Sequence, residues 1–131
     1  MRKKNTGAAL TLAVACCGLL IGCGGKPMGL SQEVYDLGVE TCDVLEDYVE
    51  GRMNQNTCLK KLTVLEAQAK VMDDEFEEEY GDEYPTQIHT DNADVLFQIS
   101  FISSAVSLVD DGETYEAQDE LEELKDKLNL E

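Results

Sequence analysis

The side chains of this chain that could act as nucleophiles are five cysteines and a short row of serines, and those that could act as acids, bases or metal ligands are one histidine and 28 Asp and Glu residues. A serine nucleophile needs a base and an orienting acid beside it. The only histidine is His89, in the segment after Pro85, where it reads as an exposed loop residue near the start of a helix. Ser100, Ser103, Ser104 and Ser107 recur at a spacing that suits close helix packing, each hydroxyl being able to bond a backbone carbonyl one turn back. The stretch from Asp73 to Glu83 holds eight acidic residues in 11 and could gather cations by charge alone. A dedicated calcium loop needs oxygen ligands at alternating positions around a glycine, however, and the residues five places before Gly81 and Gly112 are Phe76 and Ser107. There is no glycine-rich phosphate loop and no cysteine pair at metal-ligand spacing. The expectation is no catalytic residue, no metal site and no cofactor, with the carboxylates solvated.

The cysteines are placed unevenly. Cys16, Cys17 and Cys23 fall in the first 23 residues, and only Cys42 and Cys58 follow. Arg2, Lys3 and Lys4 open the chain, and from Gly7 to Gly22 no charge appears while Leu, Ala, Val and Ile dominate, which is the layout of an export signal. The apolar run is shorter than the roughly 20 residues a spanning helix needs, and Gly24-Gly25-Lys26-Pro27 would not continue it. Its end, Leu20-Ile21-Gly22-Cys23, resembles the lipobox of bacterial lipoproteins. Cys16 follows Ala13-Val14-Ala15, a poorer match that leaves a very short apolar core, and Cys17 follows a cysteine where glycine or alanine is wanted. The resemblance implies that the Cys23 sulfur receives a diacylglycerol, that the Gly22–Cys23 bond is cut, and that fatty acids such as palmitate hold the mature chain on the extracytoplasmic face of the cell membrane. It covers residues 1–23 only. Two or more acyl chains anchor stably because each buried methylene contributes about 0.8 kcal/mol.

Removing residues 1–22 leaves 109 residues, one small domain, with seven basic residues against 28 acidic ones and a formal balance of −21. Such a surface is unsuited to nucleic acid and is repelled by anionic lipid. Membrane attachment therefore falls to the lipid alone.

The elements that position these residues read as helices, with residues 23–30 as a lipidated cysteine and flexible tether and 31–131 as an acidic helical domain. Ser31 suits an N-cap, and Val34, Leu37, Thr41, Leu45, Tyr48 and Val49 form one apolar stripe of a first helix ending near Gly51. Asn54 caps a second, with Met53 and Cys58 at hydrophobic-staple spacing and a stripe of Cys58, Leu62, Leu65, Ala69, Met72 and Phe76, stopped by Gly81 and Pro85. The short link implies an antiparallel hairpin of two helices of similar length. Cys42 and Cys58 would then be offset by roughly 7 Å along the axes, near the limit for a disulfide before any lateral distance is added, so two unpaired, half-buried thiols are favoured. Between Asp94 and Asp110 lie 15 uncharged residues, apolar in nearly all directions, which read as the central and most buried helix. A fourth helix from about Thr114 to Asn129 carries Ala117, Leu121, Leu124 and Leu128. No alternating strand pattern is present, so the fold class is all-α, a small three- to four-helix bundle.

These features predict a membrane-anchored interaction or structural module of the cell envelope, not an enzyme, that meets an envelope protein or a cationic peptide through a helical face. A small cation- or ligand-binding lipoprotein is the alternative. A flat exposed apolar patch would favour the first and a well-formed apolar pocket the second.

Overall fold

A computed structural model describes residues 25–84 and 89–131, so that Gly22 and Cys23, the residues of the lipobox reading, lie outside the described residues. Helix α1 (Gln32–Val49) starts where Ser31 Oγ accepts the Val34 amide at 3.3 Å. Helix α2 (Gln55–Tyr80) starts where Asn54 Oδ1 accepts the Thr57 amide at 2.8 Å. Both caps satisfy amides that the first helical turn leaves without partners. At its far end α2 stops on Gly81, whose φ of 57° is a conformation that other residues enter at a cost, and a 3₁₀ turn (Gly81–Glu83) follows. Helices α3 (Thr90–Ser107) and α4 (Tyr115–Leu128) complete the described fold, which contains no strand.

Polar contacts between elements fix the topology. The Ser31 amide donates to Asn92 Oδ1 at 2.9 Å, joining the start of α1 to the start of α3. The Gly112 amide donates to the Tyr48 hydroxyl at 3.4 Å, joining the end of α1 to the segment after α3, so α1 and α3 run parallel. Gln55 Nε2 donates to the carbonyls of Val106 at 3.0 Å and Val109 at 2.7 Å, so the first residue of α2 caps the last turn of α3 and the two run antiparallel. Lys125 pairs with Glu46, and Leu128 packs on Gly38, which sets α4 antiparallel to α1. The result is an up-down-up-down bundle in which α1 and α3 touch across the short diagonal while α2 and α4 occupy opposite corners. Among the described residues the core comprises 21 apolar side chains, from Leu30 to Leu128.

The α2 and α4 stripes read from periodicity are the ones that face inward, with Met72 and Phe76 partly covered and Ala117, Leu121, Leu124 and Leu128 fully so. Helix α1 buries a wider arc than expected, because Tyr35, Gly38, Cys42 and Val44 join its stripe. Gly38 belongs there by close approach: a Cβ on it would stand 2.8 Å from both methyl carbons of the buried Leu128. The reading of α3 as the most buried helix does not hold. Nine of the 18 residues of α1 are buried against seven of 18 in α3, and Phe97, Phe101 and Leu108 at the outer side of α3 are exposed. The reason is geometric: no helix of a four-helix bundle is central, and each keeps an outward face.

Nor are the first two helices similar in length, for α2 has 26 residues and α1 has 18. The last residues of α2 that are fully buried end at Ala69. Beyond it the helix carries most of the acidic run, with no basic residue in its last turn, so like-charge repulsion and the helix dipole both oppose it. Aromatic packing offsets this. Phe76 stacks on Tyr80 and Tyr84, with ring centroids 6.3 and 5.9 Å away, and the His89 ring stands 4.0 Å from that of Tyr80. His89 is thus a half-buried member of a ring cluster rather than an exposed loop residue.

Two outcomes follow from this burial pattern. Amide exchange should be slowest in α1 between Leu37 and Tyr48 and, among helical residues, fastest in α2 after Met72; slowest exchange in α4 would contradict the assignment of α1 as the best-packed element. Phe76→Ala should cost about 2 kcal/mol of local stability and remove helical circular dichroism equal to roughly two turns, because the ring cluster is what offsets repulsion at the acidic end of α2. Unchanged helicity would show that the cluster is dispensable.

Candidate functional site

The residues singled out by their chemistry do not converge. Cys42 and Cys58 are free and buried, more deeply than the half-buried thiols expected. Loss of solvent pushes the Cys42 thiol up to about 12, the nearby carboxylates of Asp43 and Glu46 adding to the rise that Lys125 partly opposes, and burial pushes Cys58 up to about 11. At neutral pH both are protonated core side chains and not nucleophiles. The serines divide. Ser100 Oγ donates to the Leu96 carbonyl at 2.9 Å and Ser107 Oγ to the Ser104 carbonyl at 2.8 Å, as the spacing suggests, whereas Ser103 Oγ donates to Glu66 of α2 at 2.6 Å. The ring neighbours of His89 are Phe76, Tyr80 and Tyr84, with no serine or cysteine among them. Among the described residues no group of three or more His, Cys, Asp or Glu side chains gathers where a metal could be held, and no helix is long and apolar enough to cross a membrane.

Apolar side chains stand exposed on the outer side of α2, at Val64 and Val71, and on the outward face of α3, where two aromatic rings meet. Phe97, Phe101, Ser104 and Leu108 follow one another at helical spacing along it. Phe97 and Phe101 are 58% and 57% exposed, Leu108 is 81% exposed, and the two rings meet edge to face with centroids 4.7 Å apart. Adjacent aromatic side chains left in water are a feature that interaction surfaces share. The sequence reading takes the whole uncharged run as buried, and the exposure of these three residues corrects it. The signal that could have found the face is the same uncharged run, since an apolar arc wider than three neighbours can cover must emerge somewhere.

Acidic side chains rise on both flanks of this strip. Towards α2 lie Glu66, which accepts from Ser103, and Asp73, which accepts the Tyr84 hydroxyl at 2.5 Å, with the cation Lys70 between them. A depression of about 340 Å³ separates this flank from Leu96, Phe97 and Phe101. Towards α4, Gln98 Nε2 donates to the Glu120 carboxylate at 3.0 Å, and Glu116 and Glu123 lie on the same side of that helix by spacing. A second hollow, about 560 Å³, runs along the outer side of α2 past Val64, Ala67 and Val71 between Glu33 and Glu75. Its lining holds no aromatic residue. The hollow along α2 is largely open to solvent, and the depression beside α3 is about half enclosed.

The charge around these features is almost wholly unbalanced. Of the 28 carboxylates, Asp47, Glu50, Glu46 and Glu123 sit in ion pairs among the described residues, the first two sharing Arg52. Asp43, on the exposed side of α1, shows the consequence: partial loss of water around its carboxyl, then the carboxylates of Glu46, Asp47 and Glu40, raise its pKa, and Lys125 opposes them. A carboxyl with a raised pKa in the folded form holds its proton more tightly there than in the unfolded chain. Folding therefore gains stability as pH falls from neutrality through that raised pKa towards the ordinary carboxylate range, and loses it as pH rises. Thermal melting of residues 25–131 should accordingly show a higher midpoint at about pH 5 than at about pH 7.5, and a rise with sodium chloride at the higher pH, since salt shortens the range of repulsion below the ~8 Å of physiological solution. Asp43→Asn should raise the midpoint at neutral pH by roughly 2 °C and shrink the pH effect. A midpoint that falls at the lower pH would mean that ion pairs, not repulsion, govern the balance.

No protein-family model, no curated protein and no solved structure matches this chain, so the reading of the site rests on its residues and their geometry.

Proposed function

We propose that the protein is a lipid-anchored protein of the cell envelope, held on the extracytoplasmic face through Cys23, whose acidic bundle is an interaction module and meets its partner through the outward face of α3. The observation that carries the reading is the exposure of Phe97, Phe101 and Leu108 inside a run without charge. Each half-covered phenylalanine leaves roughly 100 Å² of apolar surface in water, which burial would turn into about 2–3 kcal/mol. An enclosed pocket would support a small ligand instead; the larger of the two hollows is largely open, and an exposed strip with two touching rings supports a macromolecular partner.

The anchor and the face belong to one arrangement. The Leu30 amide donates to the Pro27 carbonyl at 3.2 Å, Lys26 Nζ donates to the Leu30 carbonyl at 2.5 Å, and Leu30 itself is buried. The bundle therefore begins at Pro27, four residues after Cys23, and an extended chain of that length reaches only about 14 Å. The domain is held beside the bilayer and not on a long stalk.

Two measurements test the two halves of the reading. In a bacterial host the parent chain should incorporate labelled fatty acid while Cys23→Ser does not and is either released or left uncleaved; equal labelling of both would overturn the anchor. Hydroxyl-radical footprinting should find Phe97 and Phe101 protected in intact envelopes relative to the purified domain, with Val64 on α2 unchanged. Equal oxidation of the two rings in both settings would overturn the assignment of the face.

A further inference from the structure

We infer that the outward face of α3 is a cradle for a cationic amphipathic helix, an inference that rests on the interaction-module reading and gives its partner a chemistry. The floor of the cradle carries no charge from Val95 to the end of α3 at Ser107, a length of about 20 Å, and Phe97, Phe101 and Leu108 give it apolar surface on both sides of Ser104. A partner helix of about four turns covers it, laying one apolar stripe along Phe97, Phe101 and Leu108.

Charge decides which helix. Glu66 and Asp73 stand on the α2 side and Glu116 and Glu120 on the α4 side, against the positive charges of Lys70 and of Lys127, the latter on the same side of α4 by spacing and already paired with Glu123. Lysines or arginines flanking the partner's apolar stripe meet carboxylates on both sides, and among the described residues these four carboxylates take part in no ion pair. A second copy of the same domain would bring its two acidic flanks against these two, and each mature chain carries a formal charge of −21. The apolar floor is too small to overcome that repulsion, since it amounts to a few hundred Å², well under the roughly 800 Å² per partner of a stable interface. An uncharged helix gains the floor but leaves the flanks without partners. The field of the whole domain also draws a cationic partner in and speeds its encounter.

The test titrates the isotope-labelled full chain with three synthetic peptides of about 18 residues: an amphipathic Leu/Lys helix, its Leu/Glu counterpart, and a scrambled Leu/Lys sequence of equal composition. The Leu/Lys helix should bind one to one, shift amides chiefly within residues 93–108, and weaken as sodium chloride is added. Phe97→Ser with Phe101→Ser, which touches no core residue, should weaken it about 30-fold. Glu66→Gln with Glu116→Gln should weaken it roughly fivefold, the amide oxygen introduced on α2 still being able to accept from Ser103. Equal binding of the scrambled peptide, shifts spread over all acidic faces, binding of the Leu/Glu helix, or amide shifts on α3 that vanish on simple dilution and so reveal a second copy there would each overturn the inference. If the two rings are protected in envelopes and the Leu/Lys helix still does not bind, the interaction module stands and the partner's chemistry is wrong. Rings left unprotected in envelopes remove the module reading itself.

Discussion

Carboxylates without cations to pair with cannot leave water, and this chain sets 28 Asp and Glu residues against only ten Lys and Arg. Among the described residues none is buried; the buried polar side chains are Thr41, Asn92 and Gln98. Every helix must therefore turn its acids outward and find its cohesion in what remains, which is a narrow stripe in α2 and α4 and a broader one in α1. Thr41 meets the same demand inside the core by donating to the Leu37 carbonyl at 2.8 Å. The bundle is the arrangement in which four such stripes cover one another while the acids stay wet. Its margin of stability is set as much by how far apart the acids can be kept as by what the core contributes.

That constraint explains why three helices are legible in the sequence and the fourth is legible only in part. In α1, α2 and α4 the acids delimit the apolar arc, so periodicity and the Ser31 and Asn54 caps locate both the element and its inner face. In α3 no charge marks the outer face, and a pattern that is apolar all round says how much surface wants cover without saying where the cover comes from. The width of the α1 arc is hidden for a related reason: Tyr35, Cys42 and Val44 become buried only because three neighbours pack around one helix, a fact of tertiary arrangement. The His89 cluster depends on bringing residues from two sides of the Gly81 stop together, which no local spacing encodes.

The candidate face is readable in its residues and not in its orientation. Phe97, Phe101 and Leu108 share one side by simple helical geometry, and the structure adds that this side looks out between two acidic neighbours. In a domain whose surface is otherwise repulsive to its own kind, an uncharged strip is where another molecule meets least resistance. Association through it draws modestly on apolar burial, with more of the selectivity resting on the flanks.

The turn at the start of the domain has a mechanical consequence. Leu30 is buried, the Ser31 amide is bonded to Asn92, and Gly29 lies so close to Asp91 that a Cβ there would come within 1.9 Å of Oδ2. A pull transmitted to Pro27 is therefore felt at once by the fold. It enters at the junction of α1 and α3, two parallel helices, and loads the contacts between them in shear along their length, a geometry in which many contacts yield together rather than one after another. The best-packed helix of the bundle is also the one that takes the strain first.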